Sequence, residues 1–85
     1  MENLYLLQGT FYNGSDEISL YWVPSAFCFS FSAPRELIRA SELEEETEKA
    51  RQHARQVLAG RPLHLYSHDI TAALKRAPIV GRAQA

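Results

Sequence analysis

Eight of the nine aromatic residues fall within the first 31 positions, and no lysine or arginine occurs before Arg35. A segment that aromatic and that free of bases reads as a sheet; the charged remainder must supply the helices that cover it. Leu4 to Tyr12 and Glu17 to Val23 are rich in aromatic and branched residues and flank Asn13-Gly14-Ser15-Asp16. The Asn-Gly pair tolerates the positive φ of a tight turn, so the two runs are expected to form a β-hairpin. In its second strand Ile18, Leu20 and Trp22 share one face, and Ser19, Tyr21 and Val23 share the other. Glu2 to Gly9 is close to a protease recognition sequence with an extra leucine, but its apolar residues run on into Gly9-Thr10-Phe11-Tyr12 and read as strand.

Pro24-Ser25 breaks the chain, and a third strand is expected from Ala26 to Ser32, with Phe27, Phe29 and Phe31 facing the core. Ala33-Pro34 suits a first helical turn at Pro34–Ile38. Ser41 and Glu44 have capping-box spacing ahead of a longer helix from about Glu42 to Ala59. Leu43, Thr47, Ala50, Ala54, Val57 and Leu58 form one narrow apolar stripe along it, small enough to let the axis approach the phenylalanines. Gly60 fits a C′ residue, followed by Pro62. Leu63 to Tyr66 reads as a short edge strand. Ile70, Ala73, Leu74 and Ala77 mark a second helix capped by Ser67 or Asp69 and stopped by Pro78. Residues 79–85 read as an edge strand or a frayed tail, with Gly81 favouring the tail. The expected fold is a small single α+β domain spanning 1–85 in the order β-β-β-α-β-α, a mainly antiparallel sheet with one long helix packed on one face.

The net charge of −1 hides a segregation: residues 1–48 carry −7 and the remainder +6. Acids in the first turns of the long helix and Lys49, Arg51 and Arg55 toward its end oppose the macrodipole, which explains much of this sorting. With one cysteine, Cys28, no intramolecular disulfide and no multi-cysteine zinc site can form, and Cys28 reads as a small hydrophobe. No apolar run approaches the roughly 20 residues of a membrane-spanning helix, and the N-terminus lacks the pattern of a secretory signal, so no membrane partner and a cytoplasmic location are expected.

Catalytic motifs are sparse. His64, Tyr66 and His68 would share a strand face and offer a weak metal or acid–base pair, but two histidines do not close a tetrahedral site. His53 reads as surface. The glycines are isolated, so no phosphate loop and no cofactor are expected. The surplus is apolar: a long and a short helix cannot cover both faces of so aromatic a sheet. Tyr5, Leu7, Phe11, Tyr21 and Val23 are therefore the expected interface of a non-enzymatic protein–protein interaction module, a homodimer or the partner of another protein. The alternative is a nucleic-acid-binding regulator using Arg51, Arg55, Arg61, Lys75 and Arg76, should they converge on one surface. A small enzyme or ligand-binding protein using His64 and His68 is a third reading.

Overall fold

In a computed structural model of the chain, residues 3–60 and 68–83 are described. Strands β1 (Asn3–Asn13), β2 (Asp16–Val23), β3 (Cys28–Ser30) and β4 (Ile38–Arg39) precede helices α1 (Leu43–Gly60) and α2 (His68–Lys75), and β5 (Ile79–Arg82) follows. The sheet is antiparallel throughout, in the order β3-β2-β1-β4, with β5 also on β1. Leu4 pairs with both Ile38 and Arg82, and Leu7 with both Tyr21 and Ile79. A strand has two edges, so β5 occupies one edge of β1 while β2 and β4 share the other. The result is the small α+β domain expected from the sequence.

The hairpin closes through Gly14-Ser15, with Asn13 opposite Asp16. Gly14 has φ 66° and Ser15 no positive φ, the pattern of a type II′ turn centred one residue later than the Asn-Gly pair suggests. The register of β1 against β2 slips between Leu7 and Gly9, so Gln8 is the extra residue of a β-bulge. A bulge exchanges the faces on either side of it. Leu4 and Leu6 before it, and Gly9 and Phe11 after it, therefore lie on one face with Ile18, Leu20 and Trp22.

Both helices pack on this inner face. Trp22, wholly buried, joins Leu4, Leu6, Ile38 and Ala50 in one core cluster; Leu20, Ala54 and Leu74 form a second, and Phe29 packs on both. The stripe expected along α1 holds, with Ala50 and Ala54 fully buried. Glu46 joins it: its Oε2 accepts a hydrogen bond from Trp22 Nε1 at 3.2 Å, which satisfies an indole N–H that water cannot reach. Residue 8 has an equally specific task. Gln8 Nε2 donates to the carbonyls of Ala73 (2.7 Å) and Arg76 (2.8 Å), capping carbonyls at the C-terminal end of α2 from the bulge of β1.

Several expectations fail for local reasons. The third strand shrinks to Cys28–Ser30, because Phe27 takes a positive φ of 50° and Phe31 lies beyond the pairing. Phe27 and Phe31 are 44% and 58% exposed, so of the three phenylalanines only Phe29 lies within the core strand. Residues 34–37 form no helical turn, and Ile38–Arg39 instead pairs with Asn3 and Leu4. A 3₁₀ turn, Ala40–Glu42, opens on Arg39 with no side-chain cap, so Ser41 lies within the turn and makes no capping box. Gly60 is the last residue of α1 with no positive φ, not a left-handed C′ residue. Residues 79–82 pair with β1, which excludes the tail there. The strand expected at Leu63–Tyr66 lies outside the described residues.

Gly9 sits against α2 so closely that a Cβ built on it would lie 2.6 Å from the Cβ of Ala73. Gly9→Ala should overpack this contact and cost about 1–3 kcal/mol, and Ala73→Gly in the same chain should recover part of it. A double-mutant cycle by urea denaturation checks the coupling; additive losses would place the two residues out of contact.

Candidate functional site

Cross-strand pairing assigns the outer face residue by residue. Tyr5 and Leu7 of β1, Tyr21 and Val23 of β2 and Ile79 of β5 point away from the helices, as do Thr10, Tyr12, Ser19, Cys28 and Ser30. The Thr10 and Ser19 hydroxyls lie 3.3 Å apart, consistent with a shared face. The Tyr5 and Tyr21 rings meet edge to face at 5.7 Å, and Tyr5 lies over Gly81, where a Cβ would have no room. This arrangement, an aromatic covering a cross-strand glycine, flattens a continuous apolar strip over three strands.

Four of the five expected interface residues, Tyr5, Leu7, Tyr21 and Val23, thus share one face, each half-buried by its neighbours. Phe11 does not. The bulge at Gln8 turns it inward, where it meets Phe31 edge to face at 6.3 Å. Ile79, 59% exposed, takes the place that sequence alternation gave to Phe11. Both core clusters of the described residues lie on the opposite face; only at the hairpin end do Tyr12, Ser19 and Tyr21 share a cleft with Asp69 and Ile70 of α2, and the molecule measures 19 Å in its thin direction, one sheet and one helix layer deep. Pairing places charge on it only at its ends: Glu17 beside Tyr12, and Arg39 beside Asn3.

The basic residues are also brought together. Arg51 and Arg55 of α1 and Lys75 and Arg76 at the end of α2 line one groove of about 470 Å³ floored by Leu58, Leu74 and Ala77. Arg61 lies outside the described residues. A wider cleft of about 850 Å³ opens at the hairpin end between Phe11, Ile18, Phe31 and Ile70.

His68 is the first residue of α2, exposed, and so does not continue a strand; His64 and Tyr66 lie outside the described residues. Among the described residues no group of three or more His, Cys, Asp or Glu could hold a metal ion, and no helix is long and apolar enough to cross a membrane. His53, expected at the surface, is half-buried in a ring cluster, with Trp22, Phe27 and Phe29 at centroid distances of 5.6, 5.7 and 5.5 Å. The signal for it was available in part: His53 stands three residues after Ala50, on the edge of the apolar stripe. Cys28 is half-buried and free, paired across from Val23.

No protein-family model, curated protein or solved structure matches the chain.

Among the described residues one titration is clearly displaced. Hydrogen bonds to Glu46 and then Glu45 hold the Lys49 ammonium above the ordinary lysine range, with Nζ at 3.3 and 3.4 Å from the two carboxylates. A raised folded-state pKa stabilises the fold fully below the unfolded value, about 10.4, and this contribution fades as pH rises through the folded value. The stability difference between the wild type and Lys49→Met should therefore be constant from neutral pH upward and shrink only above that point. Denaturant midpoints measured across the alkaline range check it, and a difference that shrinks below pH 9 would mean another group is responsible.

Proposed function

We propose that the protein is a non-enzymatic interaction module that self-associates through the outer face of its sheet. The observation that carries this reading is that both helices lie on the inner face, leaving Tyr5, Leu7, Tyr21, Val23 and Ile79 with no second layer among the described residues. Tyrosine-rich, charge-depleted patches of this kind have the composition of interface cores. A domain of this length buries too little of its unfolded surface to waste an apolar face on water.

A second copy of the chain is the occupant that the charge pattern favours. Arg39 stands at one end of β1 and Glu17 at the other. Two outer faces stacked about a two-fold axis perpendicular to the strands bring Glu17 of each copy over Arg39 of the other. A parallel stack would set like charges together. The apolar strip supplies the attraction and the charged ends select the orientation. A cytoplasmic location belongs to the same proposal.

Sedimentation or light scattering at micromolar concentration should give a dimer mass that falls to the monomer in Tyr21→Ala and in Ile79→Lys. Because Ile79 is exposed, its substitution should leave the folded protomer intact. Glu17→Lys and Arg39→Glu should each weaken the dimer, and the two together should restore it. A monomer mass at all concentrations, unchanged by Tyr21→Ala, would exclude self-association and leave the face to a different protein.

A further inference from the structure

We infer that the groove between α1 and α2 binds the phosphate backbone of single-stranded nucleic acid, independently of the sheet face. The starting point is convergence. Arg51 and Arg55 come from α1 and Lys75 and Arg76 from the end of α2, yet they line one groove. Residues i and i+4 of a helix stand about 6 Å apart on one face, so α1 offers a pair of guanidinium groups along one wall, and α2 offers two cations on the other.

Simpler duties account for only part of this cluster. Matching a helix dipole acts within the last turn, and the last turn of α1 carries no base; Arg55 stands five residues from its end. At the end of α2 Lys75 alone lies in the last turn and complements the dipole, while the Ala73 and Arg76 carbonyls accept from Gln8 Nε2. Ion pairing does not absorb them either. The ion pairs Arg39–Glu42, Lys49–Glu45 and Lys49–Glu46 gather toward the other end of α1, and no described acid pairs with any of the four groove cations. Four unneutralised bases around one concavity repel one another, and an anion that enters relieves this.

The shape selects among anions. A groove of about 470 Å³ between two helices admits an extended phosphodiester strand with cations on both sides. Cations on two helices around one concavity suit a single extended strand of phosphates, which both walls can reach, better than a flat bilayer surface or a rigid duplex. Among the described residues the lining carries no aromatic ring, so the contacts it offers are to phosphate and should be insensitive to base sequence.

The test is fluorescence anisotropy of a labelled oligothymidylate of about 16 nucleotides against the full chain. Four phosphate contacts predict a slope of log affinity on log salt near −2.8, at about −0.7 per contact for single strands. Arg51→Ala with Arg55→Ala should halve that slope and weaken binding at least tenfold at low salt. Lysine at both positions should retain most of it, and Arg35→Ala, exposed and outside the groove, should change neither. Circular dichroism of each variant confirms folding. Binding absent at low salt, binding indifferent to the Arg51/Arg55 pair, or equal binding of polyglutamate or of phosphatidylserine vesicles would each overturn the inference. The Ile79→Lys protomer should bind with the same salt slope, so failure of the dimer and failure of the groove are told apart.

Discussion

One extra residue in β1 organises this molecule. Gln8, bulged out of the ladder between Leu7 and Gly9, does three things at once. It exchanges the faces of the strand, so that Leu4 and Leu6 before the bulge and Phe11 after it can all turn toward the helices. Its amide nitrogen reaches the Ala73 and Arg76 carbonyls and fixes where α2 ends. It brings Gly9, which has no side chain, under Ala73, so that α2 settles directly on the sheet. Without the slip, the two halves of β1 would offer opposite faces to the helix layer. The amide orientation follows from its two acceptors, which leaves Oε1 buried with no partner in the structure, a cost tolerated for two short bonds.

The long helix is held differently. Small residues let its axis come close to the sheet, and a single polar bond then fixes its register: Trp22 Nε1 to Glu46 Oε2 in a site closed to water. Around that indole gather Phe27, Phe29 and His53. Phe27 reaches the indole only by accepting a left-handed backbone conformation, which is unusual for a bulky residue. The edge-to-face contact with Trp22 at 5.2 Å offsets part of that strain.

Much of this was legible in the sequence, and the exceptions share a cause. The faces of β2, the stripe of α1 and the Ala73/Leu74 side of α2 all follow from simple periodicity, because each element keeps a single period along its length. β1 does not. Alternation from Leu4 to Phe11 counts through the bulge and assigns Phe11 to the wrong face; Gly9 within the strand run is the one local sign of a bulge, and it does not say which residue is unpaired. Phe27 and Phe31 alternate with Phe29 as a strand would, but pairing with β2 extends only over Cys28–Ser30. Ile38–Arg39 is too short a strand to show any period, and it is recognisable only from its partners on β1. The outer face was found nearly whole because its members lie on either side of the error. The basic groove was only a condition in the sequence, since convergence depends on how α1 and α2 pack.

Thinness has a geometric corollary. The sheet's outer face and the groove between the helices belong to opposite layers of a body 19 Å deep. Two protomers joined sheet to sheet would carry their grooves on the far sides of the pair, separated by both sheets. One short strand could not occupy the two grooves together, so pairing would add little avidity for a single ligand. It would instead make the assembly bivalent toward separate strands, a cross-linker whose valency is set by the bare face and whose grip is set by the covered one.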